Sequence, residues 1–432
     1  MFGESFQARD RSIRYEKPFR GKVISREVTP TMVRIFIKTR QKFKEGDKLT
    51  GRHGEKGIVS KIVPDEEMPR TKDGQVLDIA LDPHGVPCYD PETEMLTQRG
   101  WVAMDEVKED DVVATLNPDS FDLEWQEMEE YHRYDYEGEM YEIENQQINL
   151  KVTPNHNMWV QSRGPHKLSG SFQMDNEEHR EAFSLEKAKD VQGKARRYLK
   201  TANWKESSLT KFIYVPEGSG TCPSAPSYNF YDHNWAEFIG WYVTEGSAYS
   251  PRKGTYRVGI WQSKEANPEH YARIKELLNN MRISFLEREG IGFVISHKGL
   301  YEKLLPLGGS SEKYIPREVL EMGQENLRRC FDAMIAGDGN IYNNEKIGHK
   351  NAVSFTTTSR RLAGDMQELA IKLGMSANIR KDKREEKYAD GVTCYYMSIA
   401  EKNYAPWTNW SKKAKKSQHE AMVDYDGKVY CP

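Results

Sequence analysis

Apolar and polar residues alternate with a period of two along the first part of the chain. Residues 21–24 and 32–37 read as strands separated by charged turns. Strand-and-turn patterns continue past Cys88 with a more acidic composition. The pattern changes after residue 215, where residues 216–226 are dense in Pro, Gly and Ser and read as a linker. Beyond it the same order of elements occurs twice. A short apolar helix rich in small residues, 238–246 in the first copy and 331–339 in the second, ends in an acid and a glycine. A strand follows at 256–261 and at 352–357, then an amphipathic helix at 270–279 and at 361–373. Residues 425–431 return to a strand pattern.

Composition narrows the class. At 432 residues with 37% hydrophobic and 30% charged positions, the chain is long enough for two or three domains with cores, which excludes disorder. It contains no apolar run long enough to span a membrane and opens with no apolar signal segment, so a cytoplasmic location is the default expectation. The net charge of -3 argues against nonspecific coating of nucleic acid, while basic clusters at 380–384 and 412–416 leave room for local cationic faces. The five cysteines, Cys88, Cys222, Cys330, Cys394 and Cys431, form no CxxC pair, which argues against a zinc cluster or a disulfide framework.

Near the start, the run GDKLTGRHGEKG places Lys48 and Lys56 in a glycine-dense basic loop. Glycines allow tight turns and lysines meet phosphates, although a plain surface loop has the same composition. The longer segment from Gly46 to Pro87 resembles the bacterial-type RNA polymerase β subunit, as do the opening FGE and ARDRSIR. That resemblance implies part of a double-psi β-barrel, with Lys48 and Lys56 contacting RNA phosphates or the incoming nucleotide. It also implies other polymerase subunits as partners, because the family's metal-holding aspartates lie on the other large subunit. The family protein is much longer upstream, so a subunit encoded in pieces or a shortened sequence is expected.

The polymerase resemblance stops at Pro87. A nucleophilic thiol, Cys88, follows, and His156 stands in the run VTPNHNMW. A cysteine paired with an imidazole can perform acyl transfer, but a lone Cys and a lone His so far apart are more often structural. Cys88 with its following run, Thr153-x-x-His156, and residues 425–431 together resemble the splicing motifs of an intein. The resemblance implies an all-β HINT-type splicing domain. Cys88 would attack the Pro87 carbonyl, His156 would protonate the departing nitrogen, and Thr153 would hold the distorted bond. No asparagine directly precedes Cys431, so a further C-terminal intein and extein segment is the implied partner, and a strand of the splicing domain is expected at an open edge.

In the repeat, the small residues permit close helix packing, which would bring the terminal acids Glu245 and Asp338 together. Two adjacent carboxylates call for a cation. Either motif alone could equally be a buried helix with a capping acid. The pair resembles the double signature of LAGLIDADG homing endonucleases, and Lys313 in KYIPR resembles that family's lysine motif. This implies an α/β duplicated domain on duplex DNA, Glu245 and Asp338 as catalytic acids holding Mg2+, and Lys313 in the catalytic centre. The glutamate in the first copy departs from the commoner aspartate. The resulting division is multidomain: a mostly β polymerase fragment at 1–87, an N-terminal splicing domain at 88–215, an endonuclease at 216–395, and the start of a C-terminal splicing region at 396–432. The competing expectations are a polymerase fragment carrying a degenerate insert and a DNA-binding module without cleavage.

Overall fold

The computed structural model describes residues 20–50, 56–80, 87–162, 176–205, 212–217, 226–344, 349–381, 393–400, 405–408 and 419–432. The opening motifs, the loop 51–55, the linker centre with Cys222, and the basic clusters at 382–384 and 412–416 lie outside the described residues. The chain divides into two units, Met1–Gly85 and Val86–Pro432.

The first unit contains two antiparallel two-stranded sheets among its described residues. One pairs β1 (Gly21–Val28) with β2 (Val33–Thr39), and the other pairs β3 (Lys48–Thr50) with β4 (Lys56–Ile58). β1 runs beyond the predicted strand because Ser25–Val28 pair with Val33–Phe36 past a register shift after Val23, and β2 runs on to Thr39 opposite Gly21. None of this unit's described residues is buried, and Val23, Ile24, Val28, Val33 and Ile35 are all exposed. An isolated hairpin without an apolar face to cover it is marginal.

The second unit begins with β5 (Glu94–Thr97), β6 (Gly100–Ala103), β7 (Val112–Leu116) and β8 (Leu123–Glu127), a sheet in the order β6-β5-β7-β8. Next come the long β9 (His132–Glu144), β10 (Asn149–Val152), β11 (Asn157–Ser162), α1 (Glu177–Glu181), β12 (Phe183–Lys187), α2 (Ala188–Val191) and β13 (Arg196–Tyr198). β14 (Phe212–Val215) then pairs across the linker with β15 (Tyr228–Tyr231). Ile213 and Val215 enter the core of the repeat that follows, so the strand just before the predicted boundary packs with the segment after it.

The first repeat contains α3 (Asp232–Glu245), β16 (Gly246–Tyr249), β17 (Arg257–Trp261), α4 (Pro268–Asn280), β18 (Phe285–Arg288), β19 (Gly292–Ile295) and α5 (Lys298–Leu304). After the short α6 (Arg317–Leu320), the second contains α7 (Gln324–Asp338), β20 (Gly339–Asn344), β21 (His349–Thr357), α8 (Arg360–Lys372), β22 (Ser376–Lys381) and β23 (Tyr395–Ala400). The two sheets have matching orders, β16-β17-β19-β18 and β20-β21-β23-β22. β23 is an inner strand and continues to Ala400, past the predicted boundary at 395. The chain closes with β24 (Trp407–Thr408), which joins β12, β11 and β13, and β25 (His419–Cys431).

β25 pairs with β9 along its whole length and forms the edge of the sheet β10-β9-β25. This β-rich part of the unit is therefore assembled from residues on both sides of the repeat. Its sheet β5–β8 also shares the main core, where Leu96, Leu123 and Trp204 join the buried faces of α3, α7 and α8. Trp204 Nε1 donates to Met322 O at 3.0 Å, and Trp125 Nε1 donates to the Glu321 carboxylate at 3.3 Å. At this seam Lys372 and Glu368 are fully buried and paired at 2.8 Å, with Arg317 on the other carboxylate oxygen at 2.9 Å.

Candidate functional site

Two sites emerge in the second unit. The first surrounds the peptide bond between Pro87 and Cys88. Cys88 is fully buried at the start of the unit. Its N–H donates to Thr153 Oγ1 at 2.9 Å, and its carbonyl accepts from Thr153 N at 3.0 Å. One residue on, Tyr89 and Tyr430 exchange backbone hydrogen bonds of 2.8 and 2.9 Å, which ties the junction to the end of β25. On the other side of the same peptide bond, Cys431 Sγ donates to Pro87 O at 2.8 Å. The thiol of Cys431 and burial together push the Cys88 thiol far up. Sequence reading places Cys431 only within a strand motif, whereas the structure puts it on the carbonyl that Cys88 would attack.

His156 sits where the turn after β10 enters β11. Its N–H caps that turn on Thr153 O at 3.0 Å, and its ring lies edge-on to Tyr89 with centroids 4.4 Å apart. Burial, with the charge of Lys187 adding to it, lowers the imidazole to about 4, so it is neutral at physiological pH. Its Nδ1 is buried and finds no hydrogen-bond partner among the described residues. Thr153 thus holds the junction directly, and His156 reaches it through Tyr89.

The second site lies at the paired C-terminal ends of α3 and α7. The sequence predicts these helices but starts them late, at 238 and 331. α3 extends upstream because Trp235 and Ala236 are buried, and its residues from Trp235 to Val243 form an unbroken buried run. A helix buried on every side must be enclosed by its neighbours, and the one charge in this run, Glu237, is paired with Arg273 at 2.7 Å. Close approach is enforced at Gly240, where a Cβ would stand 2.5 Å from Cys330 O and 2.7 Å from Ala333 Cβ. Gly337 is just as tightly held against Thr244.

These contacts bring the two terminal acids within electrostatic reach. Burial, then the charge of Asp338, raises Glu245 to about 7, while a 3.3 Å bond from Gln262 Nε2 partly opposes the rise. Burial raises Asp338 to about 6 against the pull of Lys313. Lys313 is buried and donates to Tyr242 O at 2.7 Å and Gly246 O at 2.9 Å, the carbonyls that end α3. The negative end of the helix dipole favours a cation there. Burial nevertheless lowers this ammonium to about 8. Asp338 and Lys313 line a cleft of about 710 Å3 together with Thr356, Thr357 and Thr358. Gln262, which touches Glu245, has no sequence signal beyond its place just after β17. Two neighbouring, partly desolvated carboxylates pushed towards neutrality, Glu245 half-buried and Asp338 open to solvent, fit a divalent cation, which would return both to the ionised form. Among the described residues no third His, Cys, Asp or Glu joins them. In the first unit, Lys48 opposes Ile58 and Thr50 opposes Lys56 in the β3–β4 register.

Comparison with known proteins gives matches to two families. Residues 2–103 match the family RNA polymerase Rpb2, domain 6, and residues 325–405 match the LAGLIDADG-like domain. The first match runs past Cys88, although β5 and β6 pair inside the second unit. A DNA-directed RNA polymerase subunit beta C-terminal section from Stigeoclonium helveticum is 24% identical, covering 92% of this chain and 49% of that protein. An ATP-dependent Clp protease proteolytic subunit from Chlamydomonas moewusii is 26% identical, covering 72% of this chain and 30% of that protein. The polymerase subunit beta of Rubrobacter xylanophilus is 52% identical over 73 residues, 17% of this chain and 6% of that protein. The chain thus spans less than half the length of each of these relatives.

Among solved structures, the homing endonuclease I-DmoI in complex with DNA and Mn aligns at 12% identity and TM-score 0.28, covering 39% of this chain and 90% of that one. A class 3 split intein, AceL NrdHF, aligns at 17% identity and TM-score 0.19, covering 33% of this chain and 71% of that one. The chain carries an RNA polymerase Rpb2 domain 6 at its N-terminus and a LAGLIDADG-like domain at residues 325–405.

Proposed function

We propose that the chain is an intein interrupting a polymerase β segment after Pro87, with a DNA endonuclease built into it. The observation that carries the splicing reading is the Pro87–Cys88 peptide bond. A hydroxyl accepts its N–H, a thiol donates to its carbonyl, and a buried nucleophile follows it. In the first step Cys88 Sγ bonds to the Pro87 carbonyl carbon, and the bond from that carbon to the Cys88 nitrogen breaks. The thiol proton ends on the released amine, with the neutral His156 as its carrier. Cys431 and Thr153 hold the carbonyl oxygen and the nitrogen while charge develops. Asparagine cyclisation and transfer to a serine belong to a further C-terminal intein and extein segment.

The exposed β1–β2 hairpin supports a host segment that buries its apolar residues against other polymerase subunits, with Lys48 and Lys56 near phosphates. The similarity over 72% of the chain to a Clp protease subunit cannot lie within residues 1–87, which supports an insert separable from its host. For the endonuclease, Glu245 and Asp338 would hold Mg2+, which would supply Lewis-acid stabilisation for phosphodiester hydrolysis. Lys313 fixes the end of α3, and the sheets on either side would straddle duplex DNA. Hydroxylamine treatment tests the splicing reading. Release of residues 1–87 is expected from the native chain, and the same release from Cys88→Ala would refute it. A magnesium-dependent cut in a duplex encoding the uninterrupted polymerase segment tests the endonuclease.

A further inference from the structure

Two thiols converge on the Pro87–Cys88 bond from neighbouring strands. Tyr89 and Tyr430 exchange both backbone hydrogen bonds, so they form a hydrogen-bonded antiparallel pair. One residue outward on each strand, Cys88 and Cys431 occupy the adjacent non-hydrogen-bonded position. Residues at such a position stand with Cα atoms about 4.5 Å apart and side chains on the same face. A disulfide requires a Cα separation of roughly 4.4–6.8 Å. Both side chains are thiols, and they pack in one small cluster with Tyr136, Met140 and Val429. The other described cysteines belong to the repeat: Cys330 lies inside α7, and Cys394 directly precedes β23.

We propose that Cys88 and Cys431 form a cross-strand disulfide that reversibly blocks cleavage at the upstream junction, a role that rests on the splicing reading above. The step requires an external disulfide such as oxidised glutathione. Cys431 is the more exposed of the two. Its thiolate attacks the external disulfide, forming a mixed disulfide and releasing one thiolate. The Cys88 thiolate then attacks Cys431 Sγ and releases the second. The two protein thiols are oxidised, the external disulfide is reduced to two thiols, and the protons of Cys88 and Cys431 pass to the leaving thiolates. The linked form has no nucleophile at Cys88 and no S–H on the Pro87 carbonyl. A phosphine or a thiol reverses the step.

The full chain is equilibrated with oxidised glutathione, digested without reductant and analysed by mass spectrometry. A second portion is treated with hydroxylamine, which cleaves thioesters and spares disulfides, before and after reduction with a phosphine. A peptide linking Cys88 to Cys431 is expected, with release of residues 1–87 lost in the oxidised chain and regained on reduction. Cys431→Ser keeps a donor on the carbonyl but cannot crosslink, so its cleavage is expected to be equal in both redox states. Absence of the linked peptide from the fully oxidised chain overturns the proposal, as does undiminished cleavage of the linked form. A linked peptide in a chain that stays inert after reduction refutes the splicing reading, and the blocking role with it, but leaves the disulfide itself established.

Discussion

Replacing Glu245 and Asp338 by their amides is expected to stabilise the metal-free protein above neutral pH while removing its response to magnesium. Glu245 rises from 4.5 to about 7, chiefly through burial and then through the charge of Asp338. Asp338 rises from 3.8 to about 6 through burial. A carboxyl with a raised folded-state pKa holds its proton more tightly folded than unfolded. Its contribution to stability is therefore complete below about pH 4 and is lost as pH climbs through 6 and 7. At about 1.4 kcal/mol per pH unit, each acid could cost roughly 3 kcal/mol at pH 8. Both side chains retain solvent contact, which reduces this to about 1–2 kcal/mol each. The double variant Glu245→Gln, Asp338→Asn should then melt several degrees above the native protein at pH 8, at about 2–4 °C per kcal/mol. The gap should close at pH 4. Magnesium at about 100 times its dissociation constant should return about 2.7 kcal/mol to the native protein and nothing to the variant. Scanning calorimetry at several pH values, with and without magnesium, decides the matter. A double variant that melts lower at pH 8 without metal, or that gains as much from magnesium as the native chain, would refute the electrostatic reasoning.

Other outcomes follow from the same geometry. Gly240→Ala places a methyl 2.5 Å from the backbone oxygen of Cys330 and should cost about 1–3 kcal/mol in denaturant melts, whereas Gly57→Ala, with no atom within 4 Å, should be near neutral. Glu368→Ala removes one of the two carboxylates that Lys372 and Arg317 share at the seam, leaving Glu321 to both, and should cost about 1–3 kcal/mol in the same melts. His156, lowered to about 4, is already neutral across the usual assay range. Hydroxylamine cleavage should therefore show no inflection near pH 6.5 and should fall about 10²–10⁴-fold in His156→Ala. An inflection there that disappears in the variant would contradict the neutral imidazole.

Local pattern made much of this molecule legible. The amphipathic helices of the repeat were expected at 270–279 and 361–373, and they occur at Pro268–Asn280 and Arg360–Lys372. Pro268 at the first turn and the Ser359 hydroxyl accepting Leu362 N–H at 3.1 Å are short-range signals that mark their starts. Duplication of the small-residue helix pointed to Glu245 and Asp338, because close packing of two such helices follows from side-chain size alone.

Other features are set by contacts between residues distant in sequence. The α3 start depends on tertiary burial of Trp235, and its first turn, unlike that of α8, has no side-chain cap from the preceding residue. Lys313 was expected in the catalytic centre from its motif; that its ammonium rests on the carbonyls at the end of α3, in one cleft with Asp338, depends on that helix terminus reaching it in space. The clearest case is Cys431. Its sequence neighbours specify a strand, but its contact with Pro87 depends on the β25–β9 register and the Tyr89–Tyr430 pair. Periodicity fixes which face of a strand is apolar. Which distant residue stands opposite is decided only when two strand edges, separated here by the whole repeat, pair in one register and bury their shared face.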